Sequence, residues 1–448
     1  MPSERARESR TGGRAATTAV IPGDVALSVG NPRTSLPTGW RWTLLTDVAR
    51  LESGHTPSRR HPEYWGGDVP WIGISDATAR HGETIFQTEQ NTNELGIQNS
   101  SARVLPTNTV CLSRTASVGY IVVMGRPMAT SQDFVNWVCG PSLDYRFLKY
   151  ALLAERGSFL RFASGTTHQT IYFPEVKAFH IALPPIETQR GIAEVLSSID
   201  DRITLLRETN TTLASIAQAI FKSWFVDFDP VRARAEGRMP EGMDESTAAL
   251  FPEAFVESQI GSVPYGWKIG TLDDLLVLQR GFDLPSKERV VGKFPIIAAS
   301  GPSGTHTVAK AKAPGVVTGR SGVLGRVFLE LEDYWPLNTT LWVKDFRAAS
   351  PCYAFEVLKL LDFSSYNAGS AVPTLNRNHV HSLPYLIPDR ACVEAYESIA
   401  MTLHNRCKAN QHHAEVLTSL RDSLLPRLIS GQIRTPEAKE AIADAASQ

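Results

Sequence analysis

A run of apolar residues at alternating spacings of four and three constrains this chain more than any other feature. It extends from residue 188 to about residue 225 and follows the a/d pattern of a heptad repeat. Its positions are Ile192, Leu196, Ile199, Ile203, Leu206, Asn210, Leu213, Ala217, Ile220 and Trp224. A helix of this length measures on the order of 50 Å. Its apolar stripe is too narrow for an ordinary globular core, so the pattern predicts a partner helix.

Prolines mark both ends of this helix. Pro184 and Pro185 exclude a helix immediately upstream, and Asp229-Pro230 requires the helix to stop. A single core helix could also fit a heptad pattern by chance, and this is the alternative to a paired helix. The chain contains a second helix with the same spacing, which favours pairing.

The second half of the chain repeats the first. Residues 369–388 align with residues 165–184 without a gap, at a constant offset of 204. The same offset predicts a second heptad seam, in which Arg421 breaks the register and Leu420 can replace it. Its positions are Tyr396, Ala400, Leu403, Cys407, Asn410, Ala414, Leu417, Leu424 and Leu428. Pro426 has no counterpart in the first helix, so the second helix is expected to bend or end there.

These patterns predict an α+β protein. Two similar mixed α/β modules are expected, separated by a pair of long antiparallel coiled-coil helices and related by a pseudo-twofold internal repeat. The second module begins with Pro264-Tyr265-Gly266-Trp267, which corresponds to Pro37-Thr38-Gly39-Trp40 at the start of the first. The connector between the modules is predicted to be ordered because it contains the aromatic residues Phe228, Phe251 and Phe255. The expected boundaries are a disordered N-terminal tail over 1–35, module 1 over 36–186, helix 1 over 187–227, a connector over 228–262, module 2 over 263–388, helix 2 over 389–431 and a C-terminal tail over 432–448.

Short strands broken by turns are predicted within module 1. Strands are expected over 69–75, 109–113, 120–124 and 134–138, and a helix is expected over 145–156.

Composition places the chain among ordinary globular proteins. Its 448 residues are 42% hydrophobic and 20% charged, which predicts two or three domains. No secretory segment or membrane-spanning run is evident, so we expect a cytoplasmic protein. The five cysteines are scattered without metal-ligand spacing, which predicts reduced thiols and no zinc site. A net charge of −1 means that any contact with DNA must be local, or that other subunits supply positive charge.

Motifs for catalysis are absent from the sequence. It contains no nucleotide-binding loop, nucleophile elbow, zinc-protease helix or dinucleotide fingerprint. A nuclease site built on Glu175 and Lys177 would need an upstream carboxylate that cannot be placed. The sequence therefore predicts no catalytic residue in this chain.

Two equivalent turns are candidates for contact with nucleic acid. Arg114-Thr115-Ala116-Ser117-Val118-Gly119 corresponds to Arg320-Ser321-Gly322-Val323-Leu324-Gly325. In each, an arginine leads a turn between two strands, from which a guanidinium can project with little steric cover. Arginine binds guanine edges and phosphates through paired hydrogen bonds. The candidates are Arg114, Thr115, Ser117, Arg320 and Ser321, and a structural arginine that satisfies turn carbonyls is the alternative.

A polar loop near the end of each module adds further candidates. These residues are hydrogen-bond donors and acceptors of the kinds that contact base edges and phosphates. They are Thr166, Thr167, His168 and Gln169 in module 1, and Ser370, Thr374, Asn376 and Arg377 in module 2. Ordinary surface loops have the same composition, which is the alternative interpretation.

Three stretches resemble the specificity subunits of type I restriction–modification systems. GTTHQTIYFPEVKAFHIALPPIETQR (165–190) is similar to the end-of-module signature of that family. AIFKSWFVDFDPV (219–231) resembles its central region, and LLPRLISGQIR (424–434) resembles the end of its C-terminal helix. The resemblance covers about residues 36–434, and it concerns the role of the chain rather than the DNA sequence it reads.

The resemblance implies a non-catalytic subunit that reads a split, asymmetric site in double-stranded DNA, one half per module. The paired helices would set the spacing and dock two adenine-methylating (M) subunits, and translocating nuclease (R) subunits would join for restriction. S-adenosylmethionine, magnesium and ATP would belong to these partners, with no cofactor or metal in this chain and no contact with a membrane.

Two other classes of protein fit the sequence less well. A self-contained DNA methyltransferase or nuclease is opposed by the missing motifs. A coiled-coil scaffold without a DNA role is opposed by the equivalent polar loops of the two modules.

Overall fold

The computed structural model describes residues 19–165, 169–363 and 374–446. Contacts divide the chain into two compact units. Unit 1 comprises Met1–Thr204 and Glu415–Gln448, and unit 2 comprises Leu205–Ala414. Module 1 therefore belongs to unit 1 and module 2 to unit 2.

Unit 1 contains twelve of the described strands and six short helices before the first long helix. The strands are β1 (Ile21–Pro22), β2 (Leu27–Val29), β3 (Arg41–Leu44), β4 (Ala49–Ser53), β5 (Trp65–Ile72), β6 (Thr84–Ile85), β7 (Gln90–Thr92), β8 (Val110–Ser113), β9 (Ile121–Met124), β10 (Ala129–Thr130), β11 (Phe134–Cys139) and β12 (Phe179–Leu183). The helices are α1 (Leu45–Val48), α2 (Ile74–Ala79), α3 (Glu94–Gln98), α4 (Tyr145–Ala154), α5 (Phe159–Phe162) and α6 (Phe173–Lys177).

Three sheets organise unit 1. Their strand orders are β1-β2-β12-β3, β4-β11-β8-β9-β6 and β10-β5-β7. Every residue of β8 and β9 is buried, which explains why β9 and the first three residues of β8 are continuously apolar rather than alternating with polar residues. Helix α4 packs against this central sheet, and its N-terminus is capped by the Asp144 carboxylate, which accepts hydrogen bonds from the amides of Arg146 and Phe147.

Unit 2 begins within the first long helix and ends within the second, so it contains module 2 and the adjoining part of each long helix, whereas the helix that follows the second long helix belongs to unit 1. The first long helix is α7 (Ile186–Phe225), and the helices that follow are α8 (Asp229–Ala235), α9 (Glu245–Ala248), α10 (Leu272–Leu275), α11 (Pro351–Leu360), α12 (Arg377–His381), the second long helix α13 (Arg390–Ile429) and α14 (Thr435–Ala446). The strands are β13 (Phe255–Ser258), β14 (Gly261–Pro264), β15 (Lys268–Thr271), β16 (Val277–Arg280), β17 (Phe294–Ala298), β18 (Gly301–His306), β19 (Gly315–Gly319), β20 (Val327–Glu330), β21 (Trp335–Pro336), β22 (Thr340–Asp345) and β23 (Pro384–Ile387).

The sheets of unit 2 reproduce those of unit 1. The order β16-β22-β19-β20 matches β4-β11-β8-β9, and β18-β17-β21 matches β7-β5-β10, with a parallel pair in each of the latter two sheets. Adding 204 to either end of α6 gives the corresponding end of α12, and the same offset carries α7 onto α13. The internal repeat is therefore structural, and the predicted α+β fold with a pair of long packed helices is confirmed.

The two long helices pack against each other in antiparallel directions within each unit. In unit 1, Arg421 Nη1 donates to Asp200 Oδ1 at 2.9 Å. In unit 2, Asn210 lies beside Asn410, and further along α7 the Tyr396 hydroxyl donates to the Ala217 carbonyl at 3.3 Å. Arg421 therefore occupies its seam position through an ion pair, and Leu420 is not needed to replace it.

The seam residues are buried or half-buried throughout. Ile192, Leu196, Ile199, Ile203, Leu206, Ala217, Tyr396, Ala400, Ala414, Leu417, Leu424 and Leu428 are buried, and Asn210, Leu213, Ile220, Leu403 and Cys407 are half-buried. Helix α7 ends at Phe225, before Asp229-Pro230, as predicted. Helix α13 continues through Pro426 and ends at Ile429, less than one turn beyond the proline, which has no amide hydrogen to donate to the carbonyl of residue 422.

The expectation of a disordered tail over 1–35 is wrong from residue 19 onward. Strand β2 pairs with β12, and Ala26, Leu27 and Val29 are buried. The carboxylate of Glu155 holds this segment by accepting hydrogen bonds from four consecutive backbone amides, Asp24 to Leu27, at 2.6–3.0 Å. Residues 432–448 also differ from a simple tail, since they contain α14.

The connector over 228–262 is ordered and contributes to the core of unit 2. Phe251 is buried against Trp224, and Phe228 packs against Phe255 and Trp267. None of the helices in the described part of the chain is long and apolar enough to cross a membrane.

Candidate nucleic-acid interface

The candidate turn of module 1 joins β8 to β9 and is bonded to the end-of-module loop. The Arg114 carbonyl accepts a hydrogen bond from the Ile171 amide at 2.9 Å, and Thr115 forms a β-bridge with Thr170. Ala116 has a φ of 64°, in the left-handed region, and Ser117 N donates to Thr115 O at 2.8 Å. These bonds give the turn one defined conformation.

Module 2 repeats this arrangement between β19 and β20. The Arg320 carbonyl accepts from the Leu375 amide at 2.8 Å, and Ser321 forms a β-bridge with Thr374. Gly322 occupies the position of Ala116, with a φ of 87°. The structure therefore brings the same turn and the same loop together in both modules.

The two arginines do not project freely, and that expectation is wrong. Arg114 Nη2 donates to the Gln132 carbonyl at 3.0 Å, and its guanidinium lies 4.8 Å from the centre of the Phe173 ring. Arg320 Nη1 donates to the Asn338 carbonyl at 3.4 Å. Both side chains are half-buried because each ties its turn to the segment that precedes β11 or β22. Both arginines therefore have a structural role, because they bond to backbone carbonyls of their own module, and their contact with DNA remains a prediction.

Burial has an electrostatic consequence at Arg114. It lowers the pKa of the guanidinium, against the opposing effects of Asp133 and Tyr172. Its Nε is buried without a hydrogen-bond partner among the described residues.

The end-of-module loops carry the exposed candidates. Gln169 is exposed next to the bridge residue Thr170, and Asn376 and Arg377 are exposed where α12 begins. Asn376 also caps α12, because its side-chain oxygen accepts from the Asn378 amide. Thr166, Thr167, His168 and Ser370 lie outside the described residues.

A third loop near each turn was missed at the sequence level. In module 1, Gly54 approaches the Ser131 carbonyl so closely that a Cβ atom would collide with it, and Gly281 approaches Leu337 in the same way. The exposed Arg59 follows Gly54, and its guanidinium lies 3.8 Å from the centre of the Trp65 ring. The repeated pattern of Gly with Pro-Ser a few residues later, at Pro57-Ser58 and Pro285-Ser286, could have identified these loops.

Arg59 also lines a cleft of about 250 Å³ in module 1. Its polar lining residues are Arg59, Ser75, Asp76, Glu89, Gln90, Ser131 and Asp133. Ser75 Oγ donates to Glu89 Oε2 at 2.6 Å, and the amides of Gly73 and Glu89 donate to the Asp76 carboxylate. The cleft thus presents carboxylate and amide groups at fixed positions beside an arginine, which suits base edges better than phosphates.

A nuclease or metal centre has no support in these residues. Glu175 is buried within α6, whereas Lys177 on the same helix is exposed, so the two side chains do not share a site. In the described part of the chain, no group of three His, Cys, Asp or Glu side chains could hold a metal ion.

Comparison with known proteins gives a consistent result. Residues 37–215 match the family model described as the type I restriction modification DNA specificity domain. The chain is 26% identical over 440 residues to the type I restriction enzyme MjaIX specificity subunit of Methanocaldococcus jannaschii, covering 90% of this chain and 95% of that protein. It is 25% identical over 340 residues to the HindI specificity subunit of Haemophilus influenzae, covering 60% and 72%.

The fold has a counterpart among solved structures. The crystal structure of a type I restriction–modification S subunit from M. genitalium superimposes with a TM-score of 0.53 at 17% sequence identity, covering 89% of this chain and 98% of that one. Together with the repeated modules and their long paired helices, these similarities place the chain in one family. It belongs to the specificity subunits of type I restriction–modification systems and is the DNA specificity component, a non-catalytic one, of such an enzyme.

Proposed function

We propose that each module reads one half of a bipartite, asymmetric site in double-stranded DNA. The observation that carries this proposal is the duplicated frame of turn and loop, in which Arg114 O bonds to Ile171 N and Arg320 O bonds to Leu375 N. The frame is the same in both modules, and the exposed side chains that it presents are different. Two different half-sites follow from that combination.

Exposed side chains around each frame supply the contacts. In module 1 these are Gln169 together with Arg59 and the cleft beside it, and in module 2 they are Asn376 and Arg377. Arginine and amide side chains read guanine and adenine edges in the major groove, and arginine also binds phosphates. Such local contacts are compatible with a chain of net charge −1, provided that partner subunits hold much of the DNA backbone.

The long helices set the spacing between the two half-sites and dock two M subunits. Their seam is buried, yet Leu205, Ile216, Ile399 and Val416 expose 52%, 42%, 37% and 39% of their surface on the same two helices. Apolar side chains outside a filled seam favour protein partners. S-adenosylmethionine would bind to the M subunits, and magnesium and ATP would bind to the R subunits. The assembled complex would work in the cytoplasm, where its DNA target is.

Single substitutions in each module test whether the two modules read different halves of the target. Arg59→Ala should relax methylation in one half of the target and Arg377→Ala in the other, since a lost base contact reduces discrimination by about 1–3 kcal/mol. Arg114→Ala and Arg320→Ala should separate in the same way, with an added loss of stability from the broken bond to Gln132 or Asn338. Methylome sequencing of a host that expresses each variant complex measures both halves at once.

Matched controls exist on equivalent strands. Arg41 begins β3 and Lys268 begins β15, both are exposed, and neither strand belongs to the sheet that carries the turns. Arg41→Ala and Lys268→Ala should leave both half-sites unchanged. If Arg59→Ala and Arg377→Ala relax the same half, or alter neither, the modules do not divide the target as proposed.

A further inference from the structure

A polar layer interrupts the apolar seam of the two long helices in unit 2. Asn410 is only 4% exposed, and its Nδ2 donates to Asn210 Oδ1 at 2.9 Å. Asn210 Nδ2 in turn donates to the Cys407 carbonyl at 2.8 Å, and the Cys407 thiol lies 3.7 Å from the Asn210 carbonyl. Each asparagine thus has a partner on the opposite helix. Neighbouring seam positions are apolar, with Leu206 and Ala414 6% and 7% exposed.

The internal repeat does not preserve this layer. An offset of 204 carries α7 onto α13, so Asn210 corresponds to Ala414 and Asn410 corresponds to Leu206. The layer that the repeat relates to the asparagine pair is therefore a leucine and an alanine. In a seam that is otherwise built twice, the asparagine pair distinguishes one helix from the other.

We propose that the Asn210–Asn410 pair selects the partner of each long helix. It makes α7 and α13 of one chain recognise each other in this register, and it excludes pairing of either helix with the same helix of a second copy. This inference rests on the contacts between the helices and does not depend on which DNA the modules read.

The physical reason is the cost of a buried amide without a partner. If two copies of α7 paired antiparallel in the observed geometry, Asn210 would face Leu206, and two copies of α13 would set Asn410 against Ala414. Each homotypic pair would contain two such mismatches, because it is symmetric. Burying an unpaired polar group costs about 1–3 kcal/mol, which is about a 5- to 150-fold change in an equilibrium constant.

A shift of register is opposed for the same reason. Sliding one helix by a heptad moves Asn210 to Leu403 or Leu417 and again leaves its amide among apolar side chains. A single buried asparagine is known to fix register and partner number in coiled coils at some cost in stability. Here two asparagines on different helices satisfy each other, so the observed register avoids that cost.

The test makes the seam symmetric in the full-length chain. Asn210→Ala and Asn410→Leu together convert each asparagine to the residue found at its repeat-related position. Two differently tagged copies are mixed, unfolded and refolded together, and dimers that carry both tags are quantified by tandem affinity capture and light scattering. We expect the fraction of mixed dimer to rise by at least about fivefold over wild type.

The control exchanges residues in the other layer. Leu206→Ala with Ala414→Leu keeps the layer apolar and its total volume unchanged, so the mixed-dimer fraction should match that of wild type. Single variants complete a double-mutant cycle, in which Asn210→Ala should lower the folding equilibrium constant by about 5- to 150-fold, measured by urea unfolding, since it leaves the Asn410 amide without its partner.

Asn410→Leu alone covers the case in which the double variant fails to fold. Its Asn210 amide keeps the bond to the Cys407 carbonyl, and it removes the barrier to pairing of α13 with α13, so the mixed-dimer fraction should still rise. If mixed dimers stay at the wild-type level in both the double and the Asn410→Leu variants, or if the single effects simply add, the asparagines do not select the partner.

Discussion

The role of a single residue in this protein depends on its local environment more than on its chemical type. Arg114 and Arg320 are the clearest case, because each is half-buried and donates to the backbone of its own module. Glu155 is another, as a fully buried carboxylate that holds four backbone amides. A charged side chain in a recognition protein therefore need not be a ligand contact, and its partners decide its role.

Glu330 should make the stability of unit 2 depend on pH. Burial chiefly, with a contribution from Glu332, raises the pKa of Glu330 from 4.5 to about 7, against the opposing effect of Lys408. Between these values the unfolded chain has lost a proton that the folded chain keeps, so the free energy of unfolding falls as pH rises from about 4.5 to about 7. Glu330→Gln should remove most of that fall, on the order of 2 kcal/mol.

Urea unfolding at pH 5 and pH 7.5 measures this difference. Glu257→Gln, at an exposed carboxylate of β13, is the control and should leave the pH dependence unchanged. An equal fall in stability for wild type and Glu330→Gln would mean that Glu330 ionises normally in the folded protein.

Ala116 provides a second test at this scale. It adopts a φ of 64°, whereas the equivalent position in module 2 is a glycine at 87°. Alanine in the left-handed region is strained, and glycine is not, although glycine also gains entropy in the unfolded chain. Ala116→Gly should therefore stabilise the protein by about 0.5–1 kcal/mol, measured by thermal unfolding. Gly322→Ala should destabilise it. If Ala116→Gly destabilised the protein or Gly322→Ala stabilised it, the substituted position would not be held in the left-handed conformation.

At the scale of elements, the N-terminal segment is held by one side chain. Strands β1 and β2 extend the sheet beyond β12, and the Glu155 carboxylate binds the loop between them. Glu155→Gln keeps the shape of the side chain but replaces one acceptor oxygen with a donor that faces backbone amides. It should cost about 2–3 kcal/mol and expose residues 20–29 to protease, detected by limited proteolysis with mass spectrometry.

The neighbouring Asp24 offers a matched control. Its carboxylate accepts from Arg161 Nη2 at the surface, so Asp24→Asn should change protease sensitivity much less. Equal cleavage of the Glu155→Gln variant and wild type would mean that pairing of β2 with β12 suffices to hold the segment.

Periodic elements were predictable from the sequence, and elements fixed by distant partners were not. The predicted strand over 134–138 is β11 (Phe134–Cys139), and the predicted helix over 145–156 is α4 (Tyr145–Ala154), because burial imposes a local pattern on both. Strand β2 has three residues, too few for a pattern, and its position depends on Glu155, about 130 residues away. The turns were located correctly, but the direction of the Arg114 side chain depends on Phe173, which no local rule identifies.

At the scale of the whole molecule, duplication explains most of the architecture and leaves a few informative differences. Both long helices have 40 residues, and their bounds are related by one offset. The differences lie in the exposed residues of the loops and in the asparagine layer of the seam. A duplicated chain needs both kinds of difference, because its two modules must read different DNA and its two helices must still pair with each other.

The length of the helices should determine the gap between the two half-sites. Inserting one heptad into α7 between Leu213 and Ala217, and one into α13 between Ala400 and Leu403, leaves the Asn210–Asn410 layer intact and preserves both seams. The insertion lies between the Asn210 contact with Cys407 and the Ala217 contact with Tyr396, so the added turns face each other. It adds about 10 Å, which corresponds to roughly three base pairs of duplex.

Methylome sequencing of the double insertion tests this expectation directly. Both half-site sequences should persist while the gap between them widens by about three base pairs. Four residues inserted into α7 alone form a stutter, which local unwinding absorbs, so that control should shift the gap less. An active double-insertion complex with an unchanged gap would show that the spacing is set by the methyltransferase subunits and that the helices serve only to dock them.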